Sequence, residues 1–205
     1  MIIKTNYFKK GINLPYVIEV ENSKAKVGIF GDSFAALSEF TIHDPTDFCH
    51  ETSWMFYLAN ILNMECHTYG VCMASMGDIF YTLQNCETVY DYYIIFHTYP
   101  LREELFSNIK YNLSTCKIIK KILKDKKVLS IYWDVRHKIF DFEKPYLICN
   151  HHLTNTNIPK EYNSSFNVQQ NKLDKQGGFH HMSNRGNLLF ALDVSKLFIA
   201  NFSKS

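Results

Sequence analysis

Short continuous apolar runs alternate along this chain with longer stretches whose apolar residues recur at helical spacing. Lys26–Gly31 is the first such run and predicts a strand. Thr52-Ser53 then offers a helix cap, followed by Trp54, Tyr57, Leu58, Ile61 and Leu62 on one helical face. A strand over Glu65–Val71 and a helix over Gly77–Gln84 come next. Tyr92–Thr98 is apolar and aromatic without interruption, as a central parallel strand buried on both faces must be, and Pro100 ends it. The pattern continues with a long helix over Arg102–Leu123, a strand over Lys127–Trp133 and a short strand over Tyr146–Cys149. Leu188, Ala191, Leu192 and Ile199 mark a final amphipathic helix. This alternation predicts one three-layer α/β/α domain with a mostly parallel sheet over residues 26–205. Residues 1–25 precede it as an arm or hairpin, and the polar, aperiodic stretch 151–178 is expected to be a loop insertion.

Composition narrows the classes of function. With 46% hydrophobic and 20% charged residues over 205 positions, the chain can bury a substantial core. Its 22 basic and 20 acidic residues nearly balance, at a net charge of +2. The one basic cluster, from Lys117 to Lys127, is interleaved with Ile118, Ile119, Ile122 and Leu123 and therefore belongs to the solvated face of a helix. A single helix face is a poor footprint for nucleic acid, so none is expected as a partner. No run approaches the roughly 18 apolar residues that span a bilayer, and no secretory signal is visible, so a cytoplasmic protein without a membrane partner is expected. The 6 cysteines are scattered through apolar segments with no CxxC pair, which favours buried thiols over a disulfide frame or zinc site. The 9 histidines include the pairs His151-His152 and His180-His181, but adjacent histidines point apart and no HExxH accompanies them. No metal or other cofactor is expected. The abundance of Asn, Lys, Ile, Phe and Tyr suits an AT-rich genome such as that of a phage or virus.

The chemistry concentrates at Gly31-Asp32-Ser33, where the first apolar run breaks and a serine hydroxyl follows a strand end. In α/β domains ligands and catalytic groups collect at the carboxyl ends of strands. Alone, such a triplet serves equally as a turn or helix cap. The whole pattern resembles the SGNH (GDSL-type) hydrolases, flavodoxin-like α/β/α esterases, lipases and carbohydrate deacetylases. Val27-Gly-Ile-Phe-Gly-Asp-Ser33 is similar to the block that carries the family's nucleophile. His181-Met-Ser-Asn-Arg-Gly-Asn187 is similar to its last block, which carries the catalytic histidine. The second and third blocks fall at Gly70-Val-Cys-Met-Ala-Ser-Met-Gly-Asp-Ile79 and Ile94-Ile-Phe-His-Thr-Tyr-Pro100.

The resemblance, which covers roughly residues 26–200, implies Ser33 as nucleophile and His181 as base, acting on small esters or acetylated carbohydrates. It also exposes departures. Met73 occupies the position of the family's oxyanion glycine, unless a shifted register gives that role to Gly77, and Tyr99 stands where an asparagine amide is usual. Position 178, where the orienting aspartate normally lies, is glycine. Asp174, or Asp134 after the fourth predicted strand, are the candidate orienting acids; a main-chain carbonyl would leave a Ser33–His181 dyad. His97 within the third block and Arg102 just beyond it are candidate substrate contacts, the alternatives being a strand-end histidine and a solvated first-turn arginine. The rival to an esterase is a catalytically impaired relative that serves as a binding or structural part, for example of a virion. A nucleotide-binding flavodoxin-like protein is disfavoured because no glycine-rich phosphate loop follows the first strand.

Overall fold

The computed structural model describes residues 2–4, 15–32, 35, 53–70, 74–97, 109–132, 145–150, 163–167 and 184–203. Its strands are β1 (Ile2–Lys4), β2 (Tyr16–Glu19), β3 (Lys26–Gly31), β4 (Glu65–Gly70), β5 (Tyr92–His97), β6 (Val128–Tyr132), β7 (Tyr146–Asn150) and β8 (Asn163–Asn167). The described helices are α1 (Trp54–Leu62), α2 (Met76–Gln84), α3 (Ile109–Ile122) and α4 (Asn184–Phe202). Together the strands form one eight-stranded sheet in the order β1-β2-β4-β3-β5-β6-β7-β8. Every pairing from β4 through to β8 is parallel, while β1 and β2 pair antiparallel with each other and β2 antiparallel with β4.

The order explains the layers. From β3 the chain crosses to β4 on one side, then returns past β3 to β5 and continues to β6 on the other. Right-handed crossovers therefore send α1 to one face and α2 and α3 to the opposite face. Alternation along β3 follows suit: Val27 and Ile29 join Trp54, Leu58, Phe190 and Val194, whereas Phe30 joins Met76, Ile79 and Ile119. β5 is buried over five of its six residues, as its apolar sequence requires.

Local signals set the helix ends. Ser53 caps α1 by accepting the Phe56 N–H at 3.2 Å, and Asn63 closes it in the left-handed region at φ 51°. Ser75 and Asp78 form a reciprocal capping box at the start of α2. The polar stretch 151–178 contains β8, which pairs with β7 outside any apolar alternation. Among the described residues, no helix is long and apolar enough to cross a membrane.

Candidate active site at the carboxyl edge of the sheet

Strands β4-β3-β5-β6-β7 follow the 2-1-3-4-5 order of a flavodoxin-like sheet, whose direction of winding reverses between β3 and β5. The crevice outside the carboxyl ends of these two strands is where such sheets bind ligands. Register pairs Gly31 with Gly70 and His97 with Tyr132, so β3, β4, β5 and β6 finish along one edge. In the sequence, Ser33, Met73, Tyr99 and Asp134 each follow one of those four strand ends within three residues.

Ser33 itself lies outside the described residues, as do Met73, Tyr99, Arg102, Asp134, Asp174 and His181. Asp32 and Ala35, on either side of it, are described. Asp32 is fully buried. The Ala35 N–H donates to the Asp32 carbonyl at 2.9 Å, and the Ala35 carbonyl accepts a hydrogen bond from the Thr68 hydroxyl on β4. Gly31 is in close contact on its α1/α4 side: a Cβ there would lie 2.6 Å from Phe96 Cβ and 2.8 Å from Ala35 Cβ. The glycine of Gly-Asp-Ser thus admits Phe96 and Ala35 against the strand end, a steric reason for its place in the motif.

The helix that follows His181 reaches the same spot. Along α4, Phe198 and Phe202 pack on Tyr92 at the start of β5, at centroid distances of 4.7 and 5.5 Å. Phe190 lies 6.3 Å from Phe96 near the end of β5, so α4 runs antiparallel to that strand and begins at the carboxyl edge. Phe190 also meets Trp54 edge-to-face at 5.1 Å, and the Asn187 side-chain oxygen accepts the Trp54 N–H at 3.2 Å. That bond satisfies a donor in the first turn of α1 that no helical carbonyl can reach. Phe96 consequently touches both the strand end before Ser33 and the helix after His181.

Two other candidates are described. Gly77 is the second residue of α2, next to the capping box. His97 is 4% exposed on the α2/α3 side; its Nε2 lies 3.3 Å from Ser130 Oγ, and its ring stacks on Tyr132 at 4.3 Å. The sequence reading missed Thr68, Asn187 and Trp54 as organisers of this edge. Thr68 left a signal, a hydroxyl in the middle of a strand with its residue fully buried, and Asn187 stood in a motif without a role.

A second polar assembly runs along the α2/α3 face away from the edge. Glu65 bonds Lys26 at 2.9 Å and His67 at 2.6 Å; His67 Nδ1 meets the Tyr90 hydroxyl at 3.1 Å, which meets the Tyr69 hydroxyl at 2.6 Å. Burial alone would push the Glu65 carboxyl up, but hydrogen bonds from Lys26 and His67 outweigh it and hold the group below its ordinary value. Burial pushes the Tyr69 and Tyr90 phenols and the Cys66 thiol up, so all three stay protonated.

No family model and no curated protein sequence matches the chain. Solved structures do. A lipolytic protein of the G-D-S-L family from Veillonella parvula superposes with a TM-score of 0.52 at 14% identity, over 88% of this chain and 99% of that one. The fold is that of GDSL-type hydrolases. A carbohydrate acetylesterase family member from Sinorhizobium meliloti matches with a TM-score of 0.55 at 7% identity, over 85% of this chain and 97% of that one. A family two carbohydrate esterase from Clostridium thermocellum, solved in complex with cellohexaose, matches with a TM-score of 0.54 at 11% identity, over 92% of this chain and 67% of that one.

Proposed function

We propose that the chain is a serine-dependent esterase or carbohydrate O-deacetylase in which Ser33 is the nucleophile and His181 the base. The observation that carries this reading is the position of Phe96, packed both on Gly31 two residues before Ser33 and on Phe190 in the helix after His181. The GDSL-type fold and the esterases that share it support the same reaction class. In the reaction, His181 removes the Ser33 proton as Oγ adds to the ester carbonyl. The tetrahedral oxyanion collapses with cleavage of the ester C–O bond, and His181 returns the proton to the leaving alcohol. Water then hydrolyses the acyl-serine by the same proton transfers in reverse, releasing a carboxylic acid and free Ser33. Backbone N–H groups at Ser33 and Met73 are the assigned oxyanion donors, with the Tyr99 hydroxyl as a third; Asp174 or Asp134 orients the imidazole.

The departures at Met73, Tyr99 and Gly178 favour the rival reading of an impaired relative retained for binding. Each missing oxyanion donor costs about 10²–10³ in rate, so the two readings differ by an amount that is easily measured. Treating the wild-type chain and Ser33→Ala with a fluorophosphonate probe and with an acetylated oligosaccharide separates them. Labelling and acetate release are expected from the wild type and abolished by Ser33→Ala. Equal background in both overturns the esterase reading.

A further inference from the structure

A cavity of about 400 Å³ lies between α3 and the β5–β6 pair, and at its lysine-rich end Pro145 and, from α4, Phe202 also line it. Its floor is formed by Ile95 and His97 of β5 and by Val128 and Ser130 of β6, with Ile95 and Ser130 paired in register. Ile119 of α3 and Leu123 just beyond its end form the roof. On this floor His97 Nε2 lies 3.3 Å from Ser130 Oγ, while Ile95 and Val128 supply hydrocarbon.

The charge around the cavity is one-sided. Lys120, Lys124, Lys126 and Lys127 line it, and among its described lining residues there is no carboxylate. Lys124, Lys126 and Lys127 are exposed, Lys127 lying 5.1 Å over the Tyr92 ring, while Asp125 sits between two of them in sequence without lining the cavity. Lys126 and Lys127 precede β6, whereas His97 ends β5, so the cationic end and the His97–Ser130 end lie towards opposite edges of the sheet. Four cations from a chain of net charge only +2 make a local field that attracts anions.

We propose that this cavity binds an anionic amphiphile, a single-chain carboxylate whose head meets Lys124, Lys126 and Lys127 and whose tail lies between Ile95, Ile119 and Leu123. An inorganic anion would leave the apolar lining unused, and a neutral hydrocarbon would leave the lysines unused. The volume falls near the lower end of small-ligand pockets, about 300–1,000 Å³, which suits one chain and not a phospholipid. Binding there does not depend on the reaction proposed at Ser33.

Calorimetric titration of the full chain with decanoate, kept below its micelle concentration, tests this. One decanoate per chain is expected, with decan-1-ol and acetate each binding about tenfold or more weakly. Rising salt should weaken decanoate and leave decan-1-ol unchanged. The triple variant Lys124→Glu, Lys126→Glu, Lys127→Glu alters exposed positions only, and should lose about tenfold or more in decanoate affinity. Val128→Phe, which fills the floor while keeping the lysines, should lose binding with unchanged circular dichroism; if that variant does not fold, the lysine triple decides alone. Ser33→Ala should bind as the wild type does. Equal binding of decanoate and decan-1-ol, full competition by acetate, or undiminished decanoate affinity in the lysine triple would each overturn the site. So would the absence of any binding.

Discussion

On the α1/α4 side the sheet meets Trp54, Leu58, Phe190, Val194 and Phe198, a dry aromatic and aliphatic layer joined to the edge through Phe96. On the α2/α3 side it meets tyrosines whose hydroxyls are chained to His67 and Glu65, and a cavity walled by lysines. The first face is packed so that a methyl at Gly31 has nowhere to go; the second distributes polar groups that satisfy one another. The contrast divides the labour of the fold. The dry face fixes where β3 and β5 end and where α4 begins, and so governs the geometry of the candidate site. The wet face joins strand to strand by hydrogen bonds and leaves room for a ligand.

The largest effect is expected on the dry face. Phe190→Ala removes the ring held between Trp54 and Phe96 and should cost about 3–5 kcal/mol in denaturant unfolding. Gly31→Ala forces a methyl onto Phe96 and should cost about 1–3 kcal/mol. Its counterpart Gly28→Ala, whose Cβ would lie 2.4 Å from the Tyr90 ring, should destabilise comparably but spare labelling of Ser33 by a fluorophosphonate, which Gly31→Ala should diminish. Equal loss of labelling in both would dissolve the distinction between the faces. Next, Thr68→Val leaves the buried Ala35 carbonyl without its donor, at about 1–3 kcal/mol, and Thr68→Ser should restore both stability and labelling. The smallest effect belongs to Glu65 on the wet face. Its folded value is lowered, so the stabilisation is fully present above the ordinary carboxylate value of 4.5 and is lost as pH falls through the lowered one. Glu65→Gln should flatten the acid limb of a stability–pH curve by lowering the neutral plateau, where the ionised group contributes, and should leave stability below the lowered value nearly unchanged.

Much of this was legible in the sequence because it is local. The runs that became β3, β5 and β6 are largely apolar, Ser53 announces α1, and the apolar spacing beyond Leu188 gives α4. β8 was not legible: Asn163-Ser-Ser-Phe-Asn167 occupies the sheet edge and carries no apolar alternation to betray it. β2 shows only Ile18 fully buried, too little contrast to distinguish a strand from an arm. For the site, Gly31-Asp32-Ser33 and the block beginning at His181 could be read because each is contiguous. Thr68 and Asn187 could not be assigned, since their partners lie 33 and 133 residues away and only the folded sheet brings them together.

Phe96 carries a consequence for how such a chain can change over generations. Its Cβ fills the space a side chain at position 31 would need, and its ring fills the space beside Phe190. Positions 31, 96 and 190 are therefore not free to drift separately. Bulk gained at 96 or 190 must be shed at the other, whereas Gly31 is held hardest, because the Cβ atoms of Phe96 and Ala35 that crowd it persist in every residue except glycine.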